Sequence, residues 1–178
     1  MRTPSLLPPA IRRRATPVTL MLILAFAASP VLPAQAPTAL PTATLEDQFG
    51  RATDLTALRG TPVVVFAADR DGFDALAKWV ARVRTLAPAT VQVLSLADLR
   101  SAPRLLRGVI RGGMPRDTTR RVLLDWGGAL ARPVRGEKQP LVAAVYDARG
   151  MLVTTTPLGL TGPDDATVSA LLKATEGR

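Results

Sequence analysis

Two spacings of apolar residues alternate along this chain. Val63 to Ala68 (VVVFAA) is an unbroken apolar run that opens on three valines, which predicts a central strand buried on both faces. From Phe73 to Leu86 the spacing changes. Phe73, Leu76, Val80, Val83 and Leu86 recur at three and four residues, which predicts an amphipathic helix with Lys78, Arg82 and Arg84 on its wetter side. Pro88 ends that helix, and Val91 to Ala97 (VQVLSLA) predicts the next buried strand. Ser101-Ala102-Pro103 marks a helix start and Gly112-Gly113 its close. On this second helix Arg104, Arg107 and Arg111 share a narrow stripe opposite Leu105, Leu106, Val109 and Ile110, so the apolar side is expected on the core. Val122 to Trp126 predicts a third strand, closed by Gly127-Gly128 and followed by a polar loop. Pro140 then leads into LVAAVYD, the turn Ala148-Arg149-Gly150, and MLVTTT, a strand–turn–strand signal. Asp164 to Ala174 predicts a last helix with carboxylates at its N-terminus.

Upstream, the segment from Ala43 to Gly60 reads as a short strand, a turn at Gly50, a second extended piece and a turn at Gly60. The order is β-α-β-α-β followed by β-β-α. It predicts an α/β fold with a mixed, mainly parallel central sheet and helices on both faces.

The N-terminal residues bear on compartment. Arg2, Arg12, Arg13 and Arg14 precede the apolar run Val18 to Ala28, with no acid before Glu46. That run is too short to cross a bilayer, which needs about 20 residues, and has the length of a signal-peptide core. Residues 1–36 are expected to be a signal peptide, with cleavage left open between positions 27 and 36. Residues 37–42 (PTALPT) are expected to form a loose proline-rich linker, and residues 43–178 a single domain. The chain is expected to be exported, periplasmic or secreted, with no transmembrane segment once processed.

Composition narrows the chemistry. The chain has no cysteine and no histidine, which excludes disulfides, thiolate nucleophiles and Ser-His-Asp machinery, and removes the commonest zinc ligands. No cofactor or metal is expected. The net charge of +9 includes the four leader arginines. Between Asp98 and Arg121 seven arginines stand against two aspartates, so the remaining charge is a local patch. Arg104, Arg107 and Arg111 are the candidate anion-binding residues, for an envelope protein or an anionic ligand. The plainer reading of that stripe is the solvated face of a core-packed helix. Nucleic acid is not an expected partner outside the cytoplasm of a chain with so few aromatic residues. Trp79, Trp126 and Tyr146 are expected to be core packing.

The turn DRDGFD, residues 69–74, follows the central strand. Its plain reading is a solvated turn in which Asp71 caps the next helix and Gly72 relieves the bend. VVVFAADRDG is also similar to the opening of haloacid-dehalogenase-type phosphatases. That likeness implies Asp69 as nucleophile, Asp71 as acid/base, Mg²⁺ as the metal, and Ser95, Lys138 and Asp164-Asp165 as supporting residues. Phe73 stands where that motif has threonine, and the plain reading is preferred.

Three stretches carry a different resemblance: LEDQFGRATDLTALRGTPVVVFAA, VLLDWGG and QPLVAAVYDARGML. In this order they resemble the thioredoxin-like redoxins, including exported thiol-disulfide reductases and the alkyl hydroperoxide reductase/thiol-specific antioxidant group. Against that family's F-W-A-x-W-C-x-x-C, the stretch FAADRDGFD sets Asp71 and Asp74 where the two cysteines would stand. Pro140 matches the family's cis-proline, which implies a cis Gln139–Pro140 bond beside the turn. Thiol–disulfide exchange needs a thiolate attacking sulfur, so the resemblance implies the fold and withholds the redox activity. The expectation is a non-catalytic binding or accessory module of the cell envelope.

Overall fold

The computed structural model describes residues 38–136 and 139–177. The expected signal peptide, its cleavage window and Lys138 lie outside the described residues.

Strands β1 (Thr44–Asp47), β2 (Ala52–Asp54), β3 (Val63–Ala68), β4 (Gln92–Asp98), β5 (Leu123–Asp125), β6 (Leu141–Tyr146) and β7 (Leu152–Pro157) form one sheet. Their order is β2-β1-β5-β4-β3-β6-β7. Helices α1 (Phe73–Leu86), α2 (Arg107–Gly113), α3 (Ala131–Arg135) and α4 (Asp165–Thr175) connect and cover it. The sheet is mixed, as expected, but its pairings are mostly antiparallel. Only β3–β4 and β4–β5 run parallel, because the hairpins β1–β2 and β6–β7 flank this central trio.

The two-faced burial of β3 explains its unbroken apolar sequence. Val63, Val65 and Ala67 pack with Leu40, Leu55, Leu130 and Tyr146 on one face. Val64, Phe66 and Ala68 pack with Leu76, Trp79 and Val83 of α1 and Val168 and Leu171 of α4 on the other. Trp79 is fully buried and donates its indole N–H to the Gly159 carbonyl at 2.9 Å. Truncating such a side chain to alanine costs about 3–5 kcal/mol. Helix α4 begins as expected, with the Asp164 carboxylate accepting from the Thr167 amide at 2.8 Å.

Several expectations are corrected. From Thr38 onward the proline-rich lead is not loose. Ala39 bridges Met151, the Leu40 amide donates to Gly150, and Leu40 is buried, because its side chain completes the core beside Tyr146. The second helix is shorter than its pattern suggests, a 3₁₀ turn (Arg104–Leu106) running into α2, and none of its residues is buried. The polar loop after β5 contains α3, with Pro133 in its first turn, where a missing N–H is harmless. Trp126 is half-buried rather than a core anchor.

Candidate functional site

Three parallel strands end side by side, and an aspartate follows or closes each: Asp69 after β3, Asp98 on β4 and Asp125 on β5. Asp98 and Asp125 are register partners. In open α/β sheets this carboxyl edge is where ligands are usually held. Here the carboxylates are spent on structure.

Asp125 is fully buried, and its oxygens accept backbone N–H bonds from Gly128, Ala129, Leu130 and Ala131 at 2.7–3.0 Å. That carboxylate folds the loop into α3, which brings Arg135 under the sheet edge. The Arg135 side chain is only 6% exposed and joins the other two aspartates. Its Nη1 pairs with Asp69 Oδ2 at 2.8 Å, and its Nη2 with Asp98 Oδ2 at 2.9 Å. Nη1 also donates to the Gln139 carbonyl. Arg100 clasps Asp98 from the other side with two bonds at 2.9 and 2.7 Å. Burial pushes the Asp98 pKa up, but the Arg100 and Arg135 bonds outweigh it and hold it below the usual carboxylate value. A cleft of about 480 Å³ opens over this cluster, lined also by Ser101 and Arg132.

The turn itself is closed. Asp69 Oδ1 accepts from the amides of Asp71 and Gly72 at 2.9 and 3.1 Å, so Asp69, not Asp71, supplies the carboxylate for the amides before the helix. The reason is position: Asp69 precedes the amides that need a partner, whereas Asp71 sits among them. Asp71 and Asp74 are exposed, and no side chain caps the start of α1. A Cβ on Gly72 would stand 2.1 Å from the Pro140 carbonyl oxygen, and the Asp69 amide donates to that same oxygen at 3.0 Å. Pro140 thus lies beside the turn, but the Gln139–Pro140 bond is trans, since no described peptide bond is cis. The trans path presents its carbonyl to Asp69 and Gly72.

The phosphatase arrangement is not assembled. Both oxygens of Asp69 are engaged, and Ser95 lies mid-strand, opposite Phe66 and under α1. Asp164 caps α4, Asp165 pairs with Arg82 at 2.7 Å, and Lys138 lies outside the described residues. Among the described residues no three His, Cys, Asp or Glu side chains group to hold a metal.

The arginine stripe is split: Arg104 is exposed while Arg107 and Arg111 engage the domain, and of the apolar face only Ile110 is half-buried. Arg111 turns inward to Glu46 at 2.6 Å, and the Arg107 guanidinium lies 5.0 Å from the Trp126 ring centre. Leu105, Leu106 and Val109 face out instead, Leu105 being 95% exposed. Arg104, on the 3₁₀ turn, and Arg116, in the loop after α2, are exposed as well. Spacing showed which residues share a side of the helix but not which side meets the core. Arg135 was missed in the sequence. The signal that pointed to it is the repeated ending of buried strands on aspartate, AAD, LAD and LLD, which calls for a buried cation.

No family model and no curated protein matches this chain. Solved structures do. An exposed lipoprotein thioredoxin of Streptococcus pneumoniae aligns with TM-score 0.59 at 18% identity over 74% of this chain and 97% of that one. A secreted Mycobacterium tuberculosis disulfide oxidoreductase aligns at 0.51 and 19% identity over 75% and 96%. A thiol:disulfide interchange protein of the thioredoxin family from Chlorobium tepidum aligns at 0.52 and 16% identity over 80% and 98%. The chain therefore has a thioredoxin-like fold, with redoxins as structural relatives and no cysteine of its own. At these identities the likeness extends to the fold alone.

Proposed function

We propose that this protein is a non-catalytic binding module of the cell envelope, and that its binding face is the arginine-bearing segment from Arg104 to Arg116. The observation that supports this most is the fate of the sheet edge. Where the resemblance sets two cysteines stand exposed Asp71 and Asp74, and at the same sheet edge Asp69 and Asp98 are neutralised by Arg135 and Arg100. The edge has neither thiols nor an uncommitted buried carboxylate. The exposed, unengaged charge lies elsewhere, on Arg104 and Arg116, with no acid between Asp98 and Asp117 in sequence. Export is read from residues 1–36 and fits relatives that are themselves described as an exposed lipoprotein and a secreted oxidoreductase.

A titration of fluorescent polyglutamate by anisotropy tests this reading. Binding is expected at low salt, weakening as salt screens it. Arg104→Glu/Arg116→Glu is expected to weaken it at least tenfold. Unchanged binding by that variant, with its melting temperature preserved, overturns the assignment of the face.

A further inference from the structure

The crossover between β4 and β5 leaves three of its apolar side chains in solvent. Helix α2 rests on the domain through its arginines, Arg111 on Glu46 and Arg107 on Trp126, so its orientation is held by specific contacts. The apolar side chains are left outside: Leu105 is 95% exposed, Val109 72% and Leu106 46%. A soluble domain hides such a cluster unless something else meets it.

We propose that this ridge docks on an anionic phospholipid surface, with Leu105, Leu106 and Val109 entering the headgroup region while Arg104 and Arg116 meet the phosphates. The proposal rests on the reading of this segment as an anion-binding face and names its partner. Two features favour lipid over an acidic protein. Leu105 and Val109 are mostly exposed, with Leu106 half-exposed next to them, and a bilayer interface accepts such side chains without a matching surface. A protein partner needs about 800 Å² on each side, packed closely, which a ridge of three side chains does not offer. The charge is complementary as well. Among the described residues the one acid bonded to this helix, Glu46, is neutralised by Arg111, which leaves Arg104 and Arg116 to face anionic headgroups.

The absence of cysteine allows a local readout. In the full chain, Leu105→Cys carries a single environment-sensitive dye at a side chain that is almost wholly exposed, so folding is not at risk. With vesicles of phosphatidylglycerol and phosphatidylcholine the emission is expected to rise severalfold and shift to the blue, and with phosphatidylcholine alone to stay unchanged. Adding Arg104→Glu/Arg116→Glu is expected to raise the lipid concentration at the midpoint at least tenfold. The same dye at Glu176→Cys, an exposed position at the end of α4, is expected to stay silent. This control guards against adsorption through the apolar N-terminal run. A silent dye at position 105, an equal response on both vesicle types, or an equal response at position 176 overturns the proposal. A chain that still binds polyglutamate while the dye at 105 stays silent retains the anion-binding face and loses the lipid. A chain that does neither loses both.

Discussion

Replacing Arg135 by methionine removes the cation that joins Asp69 to Asp98 while keeping the length and apolar bulk of the side chain. The consequence differs for the two aspartates. Asp69 is about one-third exposed and keeps its bonds from the Asp71 and Gly72 amides. Asp98 is only 3% exposed, loses two of its guanidinium bonds and keeps Arg100. Stranding one member of a buried pair costs about 3–5 kcal/mol, and the surviving Arg100 clasp lowers the expectation to roughly 2–4 kcal/mol. In a domain of this size that is a fall in melting temperature of roughly 10 °C. Urea denaturation followed by the fluorescence of buried Trp79 measures it directly. The loss should also depend on pH. The folded-state pKa of Asp98 is depressed, so its stabilisation is present above the unfolded value of about 3.9 and disappears as pH falls below it. The difference between wild type and Arg135→Met should therefore shrink below about pH 4. A loss under about 1 kcal/mol at pH 7 would place the cluster among solvent-screened surface pairs and refute its structural role.

Two further substitutions test neighbouring parts of the account. Gly72→Ala drives a Cβ against the Pro140 carbonyl, a backbone group that cannot step aside, so it should cost roughly 2–3 kcal/mol in the same urea assay. A loss under about 1 kcal/mol would mean that the turn is not closed. Tyr146 is fully buried, its hydroxyl has no hydrogen-bond partner among the described residues, and burial pushes its pKa up to about 12. Tyr146→Phe should consequently be neutral or stabilising by up to about 1 kcal/mol in thermal melts, and a clear loss would show that the hydroxyl is satisfied in solution.

The strands and helices that carry the fold were legible because burial imposed a period on them. Val63–Ala68 is apolar throughout since both its faces are covered, and Phe73–Leu86 keeps its helical spacing because one side meets β3. What was not legible depended on groups distant in sequence. Helix α3 exists because the Asp125 carboxylate gathers four amides ahead of it, and no periodicity records that. Nor does the sequence around Pro140 record that its carbonyl packs on Asp69 and Gly72. Helix α2 shows the limit of the periodic argument most plainly. Its three arginines divide, because Trp126 and Glu46 engage Arg107 and Arg111 while Arg104 stays exposed on the 3₁₀ turn.

The thioredoxin-like fold is present here without a cysteine, and the proposed non-catalytic role rests on that. Insulin reduction in the presence of dithiothreitol, with full-length protein purified twice and stripped of metal, tests it most directly. With no cysteine to form a mixed disulfide, the predicted rate is that of dithiothreitol alone at every protein concentration. A rate that rises in proportion to protein and persists through the second purification would contradict the account.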